Sequence, residues 1–198
     1  PSWGNSMRLD TLHARYIDRL SGQLGIDPML FVPGEGKKAD PLLMLVGEAP
    51  GEQETLLRRP FVGKAGKNLD AFLQVLGIER AEIYITNVVK IRPTKVSAKG
   101  RLSNRPPNRQ EKENFTPWLM EEIDILRPRL IVTLGNTPLQ ALMGGDALIG
   151  SWHGQCVRTA AGIPLFALYH PAAIIYNRAL TDTYQQDLLK LRRCMTRQ

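Results

Sequence analysis

A chain of 198 residues is long enough for one well-filled domain and short for two. Hydrophobic content of 43% and charged content of 23% are those of an ordinary globular chain, and the net charge of +7 is unevenly placed. No apolar run reaches the roughly 20 residues of a membrane-spanning helix, so no membrane partner is expected.

From the N-terminus, the opening PSWGNSM gives no fold signal and is set aside, and residues 7–24 read as a helix. Residues 1–15 lack a continuous apolar segment, so no signal peptide is expected. Residues 41–46 form a short apolar run that stops at the turn GEAPG, the pattern of a strand buried on both faces of a parallel sheet. Residues 66–76 place Leu69, Phe72, Leu73 and Leu76 at helical spacing. A second buried strand spans 83–89. Then comes a basic stretch: Lys90, Arg92, Lys95, Lys99, Arg101, Arg105 and Arg109, with no acid between residues 90 and 110. Such a segment suits phosphate neutralisation, and equally a solvated loop. Within it, residues 94–110 read as an exposed, partly mobile loop carrying charge rather than core.

A helix over 108–126 carries Phe115, Leu119, Ile123 and Leu126, a third strand spans 130–134, and Asn136 caps a helix over 136–143. A fourth strand covers 164–169, and a last helix covers 181–194 with Leu188, Leu189 and Leu191 inward. Strands alternating with helices predict an α/β fold: a three-layer α/β/α sandwich on a central four-stranded parallel sheet, one domain over 1–198. Cys156 and Cys194 lie far apart without a CxxC pair, which shows no zinc or iron–sulfur pattern, reads as two structural thiols and fits a cytoplasmic setting.

Five spots fall at the carboxyl edge of the predicted sheet, where open α/β sheets place ligands. They are the 47–51 turn, the turn 60–63 around Phe61, Thr86-Asn87, Leu134-Gly135-Asn136 and His170-Pro171. Each has a plain structural explanation alone. Together they bring an acid (Glu48), backbone amides of 47–51, an aromatic face, an amide and an imidazole to one crevice, which suits a flat polar ring.

The string GEAPGEQETLLRRPFVGKAG resembles the first motif of the uracil-DNA glycosylase superfamily, closest to its iron–sulfur family 4. NVVKIRP, RPRLIVTLGNTPLQAL and HPAAIIYN resemble later motifs of that family in the right order, over about residues 30 to 192. The resemblance implies a glycosylase that flips uracil out of single- or double-stranded DNA and hydrolyses its bond to the sugar. Implied catalytic residues are Glu48 and His170; implied base-binding residues are Gly47, Ala49, Phe61 and Asn87. Lys64, Lys67, Arg92 and Arg178 become phosphate contacts, and Ile174, Ile175 and Tyr176 become candidates for a wedge into the base stack. A monomer is expected.

The departures matter as much. Family 4 holds its cluster through four cysteines. Here Ile91 and Phe115 stand at two of those positions and the N-terminal pair is missing, so no iron–sulfur cluster is expected and apolar packing should replace it. Ala172 follows His170-Pro171 where many relatives have serine, and Ala49 stands where other uracil glycosylases have Asp. The inserted loop lacks the histidine of a DNA-crosslinking relative. Two other readings stay open: a weak or inactive protein of this fold that binds damaged or single-stranded DNA, and a glycosylase for another deaminated base such as hypoxanthine. A nucleotide-binding enzyme is disfavoured because GxxxxGK[ST] and GxGxxG are absent.

Overall fold

The structure, a computed structural model, describes residues 2–197. Helix α1 (Ser2–Leu24) leads to a short strand β1 (Glu35–Gly36), then β2 (Leu43–Gly47), α2 (Glu52–Leu57), α3 (Gly63–Leu76) and β3 (Ile83–Asn87). A hairpin of β4 (Thr94–Val96) and β5 (Leu102–Asn104) precedes α4 (Arg109–Leu126), β6 (Ile131–Leu134) and α5 (Asn136–Met143). The chain ends with α6 (Ile149–Trp152), β7 (Cys156–Arg158), β8 (Pro164–Leu168), α7 (Pro171–Tyr176) and α8 (Thr181–Thr196).

The four expected strands pair in parallel in the order β3-β2-β6-β8, with Gly47 opposite Asn87, Val46 opposite Thr133 and Leu134 opposite Leu168. The sheet has six strands rather than four, because β1 and β7 add antiparallel at its two edges. Both are too short to show a period in the sequence. Along β2, side chains alternate between two cores. Met44 and Val46 meet Leu12 and Tyr16 of α1, Trp118 and Leu119 of α4 and Leu139 of α5. Leu43 and Leu45 meet Leu69 and Phe72 of α3 and Leu188 and Leu191 of α8. Each fully buried aliphatic side chain contributes on the order of 1.5–3 kcal/mol, so both faces demand helices. That is the three-layer arrangement. Among the described residues, no helix is long and apolar enough to cross a membrane.

Several local expectations change. Helix α1 begins at Ser2, inside the segment set aside. The basic stretch is no loose loop: β4 and β5 form a ladder from Thr94↔Asn104 to Val96↔Leu102, and Arg105 ties its base to Glu111 at 2.6 Å. Helix α4 starts in a capping box between Asn108 and Glu111. Asn136 does not cap α5; Gly135 does, and the Asn136 side chain instead accepts the Ile149 amide at 2.7 Å. Leu189 faces solvent, while Tyr184, Leu188 and Leu191 face inward. Cys156 and Cys194 lie together, their Sγ atoms 2.8 Å apart.

Candidate functional site

All four parallel strands end on one edge. The chain runs from β2 to β3 on one side, then returns to place β6 on the other side of β2, so the crevice between the ends of β2 and β6 is a topological switch point. Glu48 follows β2 there. Across the crevice, Thr137 in the first turn of α5 donates its hydroxyl to Glu48 Oε2 at 2.6 Å.

Two of the expected residues, Phe61 and Asn87, meet over a third, Gly47. A Cβ added at Gly47 would lie 2.5 Å from Asn87 Oδ1 and 2.8 Å from Phe61 Cζ. Any other residue there would push ring and amide apart. Phe61 is placed by a left-handed backbone (φ 53°), a conformation that costs on the order of 1–3 kcal/mol and has to be held from outside. Arg80 holds it, donating to Phe61 O at 3.0 Å and to Pro60 O at 2.9 Å. Glu54 joins the two turns of the first motif: one carboxylate oxygen accepts from Gly51 N and the other from Val62 N, each at 3.0 Å. The Gly51 amide is therefore occupied and drops out of the amides expected to face a ligand. Helix α3 passes so close that a Cβ at Gly66 would stand 2.8 Å from Phe61 O.

His170 caps α7 at the end of β8. Its Nδ1 accepts the Ala172 amide at 3.0 Å, which leaves the proton on Nε2. Burial pushes its pKa below the usual value, and the Glu48 carboxylate opposes that shift only in part. The ring is a neutral N–H donor near an acid. Phe61 and His170 also line one hollow of about 20 Å³ with Leu45 and Leu134; it is smaller than a base, and neither Asn87 nor Glu48 lines it.

Beneath Asn87 lies a buried polar knot. Lys90, expected among the phosphate-neutralising bases, is 0% exposed and points inward. Its Nζ donates to Asn87 O at 2.7 Å and pairs with Glu122 Oε1 at 2.7 Å. Glu122 also accepts from Tyr84 at 2.8 Å and from Thr86 at 3.1 Å. Burial lowers the Lys90 pKa and raises that of Tyr84. The Trp118 indole donates to His13 Nδ1 at 3.0 Å, and its ring lies 5.1 Å from Lys90 Nζ.

The iron–sulfur cluster implied by the resemblance does not fit these residues. Phe115 is fully buried against Phe31 and Trp118, and Ile91 packs on the same core. Among the described residues no group of three His, Cys, Asp or Glu side chains could hold a metal. The positions that match the family's ligands lie in an aromatic core beside the buried Lys90–Glu122 pair, so the packing there is partly ionic rather than purely apolar.

The remaining expected residues divide between the surface and the two cores. Lys64 and Lys67 are exposed on α3. Arg92 spends its Nε on Asn104 Oδ1 at 2.7 Å. Ile174 packs against the second core, whereas Ile175 and Tyr176 are 68% and 91% exposed. Ile174, Ile175 and Arg178 border a groove of about 530 Å³ between α3, α7 and α8. Ala49 rests half-buried on the first core. Sequence reasoning passed over Thr137, Glu54, Arg80 and the Lys90–Glu122 pair. Glu54 stands three residues after Gly51, but glycine has no side chain to complete a capping box, so that spacing carries only half the signal; the others act through tertiary contacts that leave no local pattern.

A family model described as the uracil DNA glycosylase superfamily matches residues 33–191. A Type-4 uracil-DNA glycosylase of Pyrobaculum aerophilum is 42% identical, over 79% of this chain and 79% of its own. One from Sulfurisphaera tokodaii is 41% identical over 81% of this chain and 73% of its own. One from Archaeoglobus fulgidus is 36% identical over 81% and 80%. With the family match spanning most of the sequence and such relatives along most of its length, the chain belongs to the uracil DNA glycosylase superfamily.

Proposed function

We propose that this protein, as one domain and a monomer, excises uracil from DNA by hydrolysing the bond between uracil N1 and the deoxyribose C1′, leaving an abasic site. The grouping of the Phe61 ring and the Asn87 amide over Gly47 carries this reading. The uracil would lie in the crevice above Gly47, stacked on Phe61, since a π-face accepts any flat base. Asn87 supplies the choice: its Nδ2 donates to uracil O4 and its Oδ1 accepts from N3–H. Cytosine presents the opposite pattern and would leave buried groups unpaired.

As the bond breaks, electrons move to uracil and positive charge grows on the sugar. His170 donates its Nε2 proton in a hydrogen bond to O2, with the amides of Glu48 and Ala49 assisting. A neutral donor stabilises the developing oxyanion without handing over a proton. Thr137 holds one oxygen of Glu48, and the other orients the water that adds to C1′ while the carboxylate stabilises the oxocarbenium-like sugar; the water gives up one proton, which balances the departing uracil anion once it is released to solvent. Ile175 and Tyr176 are the wedge, and Lys64, Lys67 and Arg178 neutralise phosphates. No step needs an iron–sulfur cluster, and the purified protein should contain neither stoichiometric iron nor acid-labile sulfide.

The test is uracil release from a labelled oligonucleotide, read as strand scission after alkali. Losing one such hydrogen-bond donor typically costs on the order of a hundredfold in rate, which is the expected loss for His170→Ala. Asn87→Asp should lose uracil excision as well. Full activity in both variants, or a shifted band without scission by the parent protein, overturns the proposal.

A further inference from the structure

We propose that Cys156 and Cys194 are a reactive dithiol, oxidised by small anionic disulfides to an internal disulfide that clasps α8 to the edge strand β7. The two residues are 38 apart in sequence, yet their Sγ atoms stand 2.8 Å apart. A disulfide bond is about 2.05 Å long, so closure asks for a sub-ångström shift. The approach is imposed by the fold. Strand β7 is held by its ladder to β8, with Cys156 opposite Phe166, and Leu188 and Leu191 of α8 pack on the same sheet. A second tie lies two turns before Cys194: Asp187 of α8 bonds His153 Nδ1 at 2.7 Å, just ahead of β7.

The surroundings select the oxidant. Both cysteines line a groove of about 360 Å³ whose other walls include Lys190, Arg193 and Arg197. Lys190 shares its charge with Asp187 at 3.9 Å, and together with Arg193 and Arg197 it leaves a cationic wall that attracts a disulfide carrying carboxylates, as oxidised glutathione does. Exposure sets the order of events, because Cys156 is exposed and Cys194 half-buried. The Cys156 thiolate attacks one sulfur of the small disulfide, forming a mixed disulfide and expelling one thiolate. Cys194, as thiolate, then attacks the Cys156 sulfur and expels the second. Two protein thiols are oxidised, one small disulfide is reduced to two thiols, and no other reagent is consumed. The clasp removes loop freedom from the unfolded chain, and neither cysteine lines the hollow shared by Phe61 and His170.

The experiment exposes the reduced full chain to oxidised glutathione, removes the excess, and counts thiols by colorimetric titration. Expected are loss of both thiols, a monomer lighter by about 2 Da than the reduced form, a 156–194 cross-linked peptide, and a rise in Tm of about 6–12 °C that dithiothreitol reverses. Cys194→Ser should stop at the first step, carrying one glutathione on Cys156 and gaining no Tm. Two titratable thiols after prolonged oxidation, or a disulfide-linked dimer in place of the internal link, overturns the proposal. Uracil excision is measured in parallel; whether it is present or absent has no bearing on the clasp.

Discussion

Gly47→Ala probes the core of the proposed site with one methyl group. The added Cβ would lie 2.5 Å from Asn87 Oδ1 and 2.8 Å from Phe61 Cζ, whereas ordinary contact begins at 3.4 Å. The amide must therefore retreat about 0.9 Å and the ring about 0.6 Å, the differences between those distances. The amide, at the end of a side chain, can turn aside by rotation and so leave the position from which it faces Gly47; the backbones that carry amide and ring are held in place. Asn87 O is held by Lys90 Nζ at 2.7 Å, and Gly47 O by the Val88 amide at 3.0 Å. Phe61 is fixed by Arg80 at its carbonyl. Overpacking of this kind costs about 1–3 kcal/mol, a fall in Tm of roughly 3–10 °C for a chain of this size. The variant should still fold. A displacement near 1 Å at a positioning group costs on the order of a hundredfold in rate. The assay is single-turnover uracil release from a short single-stranded oligonucleotide, with circular dichroism to establish the folded fraction. A folded variant that excises uracil within about threefold of the parent rate would refute the placement of ring and amide around the base.

Thr137→Val keeps the volume of the side chain and removes the hydrogen bond to Glu48; a bond to a charged group is worth about 1.5–3 kcal/mol. The rate of excision should fall about tenfold or more while DNA affinity, measured by gel shift, stays within twofold. Lys90→Met leaves Glu122 buried without its cation and should cost about 3–5 kcal/mol, read as a lower midpoint in urea. Lys90→Met combined with Glu122→Gln should recover much of that loss, since Gln still accepts from Tyr84 and Thr86; no recovery would contradict the pairing. Burial lowers the pKa of both His13 and His170. The folded chain thus resists protons that the unfolded chain takes up near pH 6.5. Their stabilisation is complete above that value and is lost as pH falls through the folded pKa values. Tm should be flat above about pH 7 and decline on acidification, more shallowly in His13→Gln; an identical decline in that variant would exclude His13 as a contributor.

The central strands are legible in the sequence because each is buried on both faces and so reads as an unbroken apolar run, as in 43–46 and 131–134. The strand-end residues are legible for the same reason: once the strands are placed, parallel pairing puts Glu48, Asn87 and His170 on one edge without further information. What stays hidden depends on pairs distant in sequence. Lys90 sits in a run of exposed bases and looks like one of them; only α4, bringing Glu122 underneath, turns it inward. The hairpin of β4 and β5 carries Val96 and Leu102 on its exposed face, so it has no buried stripe to signal a strand. The cysteines share no motif because β7 and α8 meet only after the sheet has closed.

The Lys90–Glu122 pair bears on how the site keeps its shape. A buried ion pair is weak support for stability, since removing two charges from water offsets most of their attraction. Its value lies in direction. A hydrophobic core tolerates small slides of a strand end, whereas an ammonium with donors to both Glu122 and Asn87 O fixes the backbone carbonyl of one residue relative to α4. Glu122 in turn gathers Tyr84 and Thr86, the strand positions preceding Asn87. The β3 end is thus pinned along its last turn of pleat, and the side chain that faces Gly47 inherits that position. Phe115, Trp118 and Phe31 fill the adjoining space with rings. At this junction the chain sets one buried salt bridge in an aromatic box, and that arrangement fixes the end of β3 from which Asn87 faces Gly47.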